Sequence, residues 1–241
     1  MRKLIGGLAV VAFLAGVFAT PAAAQLFGNA TYAAMPGTGV TIAGDYALSL
    51  NDDAKYDGTS TSSFAGGRIA LGLPMFGVWA GAGAYPMGVD GASSKIGFGG
   101  GVGVHVLNKA EMPVSVSVEG GFGYYKQPTD ADDFTLMKIP FGLLLAVKVP
   151  TTGVGVTPWI YPRGEYVSYK EGLTDVTTGK VGFGISGGLM VTMPMGLGLQ
   201  ATLDWMSVKN TLFDPEATGT FKPMVASFGL HYMIKVPSLG M

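Results

Sequence analysis

Ionisable side chains of both signs sit inside segments that are otherwise apolar or glycine-rich: Asp45, Arg68, Glu119, Lys138, Arg163, Glu165 and Asp204. In such surroundings they can pair and neutralise one another in a desolvated interior, or line a polar path and set its ion preference. A second set of acids, Asp52, Asp53, Asp130, Asp132, Asp133 and Asp175, falls in polar stretches between the segments. Clustered carboxylates could hold divalent cations or share in hydrolysis. The DADD spacing at 130–133 lacks the ligand order of an EF-hand, so a solvated acidic loop is the expectation, with no metal and no cofactor. Gly184-Ile185-Ser186-Gly187-Gly188 matches G-x-S-x-G, but that motif needs a strand-to-helix elbow, and period two continues here on both sides. With zero cysteines there is no disulfide, thiol nucleophile or thiolate metal site.

The elements that must position these residues are read from the alternation. From Val181 to Met193 and again from Leu197 to Trp205, apolar residues alternate with Gly, Ser, Thr, Gln and Asp, broken only by Pro194-Met195-Gly196. Period two on both sides of a tight turn predicts a β-hairpin with one apolar face. Each arm has the ~9–11 residues that a tilted strand needs to cross a bilayer. The unit recurs. Further strands are predicted at 38–50, 63–73, 76–87, 95–106, 114–125, 134–149, 154–169 and 223–236, giving about ten. Polar loops, among them 51–62, 126–133, 170–179 and 209–222, follow the odd-numbered strands, and short turns follow the even-numbered ones. Both chain ends then lie on the turn side.

The chain has 241 residues, 39 glycines and 13% charged residues, with net charge -1. No basic surface stands out for a nucleic-acid partner. Mean hydropathy is +0.39 without a long uncharged helical span beyond the N-terminus, which is what strands with one lipid-facing side produce. Residues 1–24 read as a cleaved signal peptide: Arg2 and Lys3, an apolar stretch from Leu4 to Ala19, and Ala22-Ala23-Ala24 before Gln25. Residues 25–37 form a lead-in, 38–236 a single barrel domain and 237–241 a tail.

With the apolar parity turned outward, Tyr46, Phe98, Tyr124, Tyr166, Phe183 and Trp205 all point to lipid near the loop end of their strands. That is an interfacial aromatic belt. The opposite parity puts glycine and the charges inside. Counting from the connections sets Asp45 opposite Arg68 and Lys138 opposite Glu165, with Glu119 and Arg163 flanking and Asp204 at a similar height. His105 and His231 fall inward on the turn-side half, far from the loop acids they would have to serve as general base.

Together these features resemble the small bacterial outer-membrane β-barrel proteins, the group with the OmpA-type and porin-like domains. The final strand, Phe228-x-Leu230-x-Tyr232-x-Ile234-x-Val236, looks like the C-terminal signal by which such barrels are recognised for insertion, although the chain ends at Met241 and not on an aromatic. The resemblance implies an all-β, up-and-down antiparallel transmembrane barrel in the outer membrane. Its partners would be membrane lipid and lipopolysaccharide, with periplasmic chaperones and the barrel-assembly machinery during biogenesis. A narrow or gated small-solute pore and a closed structural barrel compete as functions. An enzyme is not expected; the alternatives kept are an omptin-type or lipid A-modifying enzyme and a soluble, lipocalin-like barrel with its ligand inside.

Overall fold

The computed structural model describes residues 38–51, 53, 63–87, 95–108, 112–128, 133–149, 151–170, 177–212, 216 and 218–236. The leader, the lead-in, the tail and most of the first polar loop lie outside these residues.

Its strands are β1 (Gly39–Ser49), β2 (Ser63–Gly72), β3 (Phe76–Met87), β4 (Lys95–Leu107), β5 (Val114–Pro128), β6 (Asp133–Val147), β7 (Gly155–Lys170), β8 (Thr177–Thr192), β9 (Leu197–Lys209), β10 (Thr220–Phe221) and β11 (Met224–Lys235). Each long strand pairs antiparallel with its sequence neighbours, and β1 closes the sheet against β11, from Gly39 facing Lys235 to Ser49 facing Val225. The result is a closed ten-stranded antiparallel barrel. β10 is a two-residue strand on the end of β9, where Thr220 faces Lys209.

The boundaries follow the alternation closely, with three differences. Predicted loop 126–133 shrinks because β5 and β6 keep pairing as far as Pro128 and Asp133. Predicted loop 170–179 shrinks because β8 begins at Thr177, facing Lys170. The loop predicted at 209–222 contains a 3-10 turn (Asn210–Leu212) and β10. Backbone pairing there runs beyond the apolar alternation, so the period does not reveal it.

The turn from β8 to β9 shows why short connections fix the register. Met193 N–H donates to Leu197 O at 2.7 Å and Gly196 N–H to Met193 O at 2.9 Å, while Gly196 takes φ 91°. Only glycine adopts that conformation without strain, and a Cβ there would also meet the Met233 carbonyl.

Sidedness follows the period. Leu199, Leu203, Phe141, Val181 and Ile69 are exposed on the outside, Leu203 at 59%. Between the strand ends the outward positions carry no Asp, Glu, Lys or Arg among the described residues; Lys126, Lys170 and Lys209 lie exposed at the loop-side ends. A lipocalin-like inversion would need a polar outer face, and along the strands that face is apolar.

Candidate functional site: the lumen and its charge network

Each sequence-selected charge points inward and is buried: Asp45, Arg68, Glu119, Lys138, Arg163, Glu165 and Asp204. The predicted pairings are displaced by two residues along the strands. Arg68 faces Ala43 and Asp45 faces Gly66, yet Arg68 Nε reaches Asp45 Oδ2 diagonally at 2.9 Å. Likewise Lys138 faces Val167 and Pro140 faces Glu165, with Lys138 Nζ 3.7 Å from Glu165 Oε1. A two-residue shift keeps every side chain on its face, so parity holds where register does not.

Arg163 is the hub. Its guanidinium lies 3.0 Å from Glu165 Oε2 and 2.9 Å from Asp204 Oδ1, and it donates to Ser186 Oγ at 2.5 Å. The Ser186 hydroxyl donates in turn to Asp204. Gln200 Nε2 donates to Asp45 Oδ1 at 2.8 Å, joining β9 to the Asp45–Arg68 pair. Burying such ions costs several kcal/mol each, and close pairing with additional hydrogen bonds is what offsets that cost. Sequence reasoning does not single out Ser186 and Gln200 as members of the network. Their only signal is a polar residue at inward parity.

Glycine explains how these long side chains fit. Along one inward row the register places Gly103, Glu119, Gly142, Arg163 and Gly184 on successive strands. The Arg163 side chain extends over Gly184, with only its Cβ beside Gly142, whereas the Glu119 carboxylate leans the other way, over Gly103. Glu119, expected with Arg163 to flank the Lys138–Glu165 pair, therefore leans away from Arg163. Its backbone carbonyl, not its carboxylate, accepts from Tyr161 Oη at 3.2 Å. Phe64 similarly covers Gly66 and Gly83, Trp79 covers Gly101 and Gly121, and Trp159 covers Gly188. At these positions glycine does not leave the lumen open: the room is taken by neighbouring side chains lying flat.

On the loop side of the ions sits an apolar layer, also unexpected. Ala47, Phe64, Tyr125, Leu136, Val167, Met206, Val208, Leu212 and Val225 are buried together, with Tyr169 and Phe221 against them. Apart from Leu212, which lies in the 3-10 turn, these residues occupy the inward parity at the loop-side strand ends, where the sequence reading looks only for charge and glycine. The turn-side half is built differently. Leu144, Ala146, Trp159 and Tyr161 form a smaller cluster, beside a cavity that His105 and Glu119 line.

Outside, Phe98 stacks on Tyr124 at 5.1 Å and meets Phe122 edge-on at 6.4 Å, while Phe183 and Trp205 are 6.4 Å apart. Tyr46 and Tyr166 take outward positions on β1 and β7. Aromatic rings favour such offset and edge-on arrangements.

Enzyme-like groupings do not assemble among the described residues. Ser186 lies within the unbroken strand β8, fully buried and engaged by Arg163 and Asp204. His105 Nδ1 bonds Ser117 Oγ at 2.8 Å and His231 Nε2 bonds Thr192 Oγ1 at 3.0 Å, both in the turn-side half. Of the loop acids, Asp53 accepts from the Lys222 backbone N–H at 2.7 Å. Asp52, Asp130, Asp132 and Asp175 lie outside the described residues, as does the side chain of Asp133.

No family model matches the chain, and no curated protein matches it. Among solved structures it is similar to the N-terminal β-barrel domain of Pseudomonas aeruginosa OprF, at 13% identity and TM-score 0.39, covering 83% of this chain and 100% of that one. It is also similar to the outer membrane protease OmpT from Escherichia coli, at 7% identity and TM-score 0.42, covering 82% and 94%. A third is Ail, the attachment invasion locus protein of Yersinia pestis, at 9% identity and TM-score 0.33, covering 83% and 100%.

Proposed function

We propose that this chain is an integral outer-membrane β-barrel whose lumen is closed by its own side chains, a structural barrel rather than an open small-solute pore. The observation that carries this reading is the burial of the ion network: the side chains of Asp45, Arg68, Lys138, Arg163 and Glu165 are only 0–1% exposed. Charges lining a conducting water path would be wet. An apolar layer on the loop side completes the seal, built mostly from strand residues with Leu212 of the 3-10 turn packed among them. Ten strands lie just above the size at which side chains fill a barrel unaided.

Membrane insertion is supported by the outward face. A Lys or Arg at mid-depth would cost about 2–4 kcal/mol, and the basic residues stand at the strand ends instead. Lys126, Lys170 and Lys209 at the loop-side rim suit the phosphates of lipopolysaccharide. Phe228, Leu230, Tyr232 and Ile234 are exposed along β11, as a signal for the barrel-assembly machinery requires. Hydrolysis is not part of the reading, because both described histidines are held in the turn-side half.

Planar-bilayer recording of the refolded, heat-modifiable protein is the test. A silent barrel is expected; stable single-channel steps at low voltage would overturn closure. Recovery from cells as a soluble periplasmic protein would overturn the membrane assignment.

A further inference from the structure

The turn-side half of the lumen holds a small, partly open cavity of about 30 Å³, lined by Thr41, Ala70, Trp79, Gly103, His105 and Glu119, among others. Glu119 is 6% exposed and its carboxylate lies over Gly103 on this wall. Among the described residues no ion pair or hydrogen bond serves that carboxylate. The cations that could have reached it are committed elsewhere: Arg163 to Glu165 and Asp204, Arg68 to Asp45, and Lys148 to Asn108 at 2.8 Å. A buried carboxylate without a counter-charge either takes up a proton or draws in a cation, and the space beside Glu119 admits a small one.

We propose that this cavity is a binding site for a small primary-ammonium ligand, with the Glu119 carboxylate as its counter-ion. The lining suits three N–H donors on one cation. Glu119 accepts one. His105, in the tautomer that donates from Nδ1 to Ser117, has Nε2 as an acceptor for a second. The Thr41 hydroxyl can accept a third. Trp79 adds an aromatic surface against which a cation is favoured. A quaternary ammonium has the charge without the donors and is excluded.

The test uses the full chain refolded in detergent micelles and titrated calorimetrically with methylammonium chloride, with ionic strength held constant by sodium chloride. Saturable binding is expected for the wild type and no saturable binding for tetramethylammonium. Glu119→Gln, of the same shape and without charge, should bind methylammonium at least tenfold more weakly. No saturable binding by the folded wild type, equal binding by E119Q, or equal binding of tetramethylammonium would each overturn the proposal. If E119Q does not reach the heat-modifiable folded form, Gly103→Ala serves instead, since its methyl group takes the space of the carboxylate. Binding weakened tenfold by that change supports the site, and unchanged binding contradicts it.

Discussion

The two halves of the lumen are lined by similar residue types and solve opposite problems. Toward the loops, Lys138, Arg163, Glu165, Asp204 and Ser186 come from four different strands and are joined by contacts of 2.5–3.7 Å beneath an apolar layer. Toward the turns, Glu119 and His105 line open space, and Glu119 has no counter-charge among the described residues. One row of the sheet contains both regimes. Glu119 and Arg163 are separated there only by Gly142, and each leans away from the other, over the glycine on its far side. In a barrel wall, then, the position of glycine decides which long side chains meet, more than distance along the row does.

This contrast is breakable at several points. The largest effect is expected from Arg163→Leu, which strands Glu165 and Asp204 in a dry interior. A loss of about 3–5 kcal/mol in reversible urea unfolding is predicted, and a loss under 1 kcal/mol would show that the hub is not desolvated. Next is Phe64→Ala in the apolar layer, worth about 3 kcal/mol by the same measurement. It should also produce transient conductance steps if that layer seals the loop side.

Leu203→Arg tests the outer surface. Leu203 is 59% exposed, and an Arg there should cost about 2–3 kcal/mol in a lipid bilayer, whereas a solvated exterior would make it neutral. The smallest effect sharpens the contrast most. Glu119→Gln alters a carboxyl group nearly as buried as Arg163, yet should change stability by no more than about 0.5 kcal/mol, or raise it, because no partner is left behind. A loss of 3 kcal/mol there would mean that Glu119 is paired after all.

Much of this architecture was legible in sequence because a strand's period of two is also the period of its burial. Ile69, Leu199 and Leu203 face outward and Asp45 and Asp204 inward, as alternation requires. Register was not legible. It depends on where pairing resumes across each connection, so Asp45–Arg68 and Lys138–Glu165 are diagonal neighbours and not facing ones. Composition also misled about the interior. Glycine at inward positions reads as empty space only until the neighbouring Phe64, Trp79, Trp159 and Arg163 are laid across it. The apolar layer was hidden for a related reason: Phe64, Tyr125 and Leu136 carry the residue type expected outside on the parity expected inside.

Closure of the lumen can be read without any current. The chain has no cysteine, so a single Ser186→Cys places one thiol at the hub with little change of volume. In lipid vesicles, a membrane-impermeant thiosulfonate is predicted to leave this thiol unmodified from either side over hours, while a Thr151→Cys control on the β6–β7 turn reacts within minutes. Labelling of the S186C variant at the rate of the turn control would show water at the centre of the barrel and contradict a sealed interior.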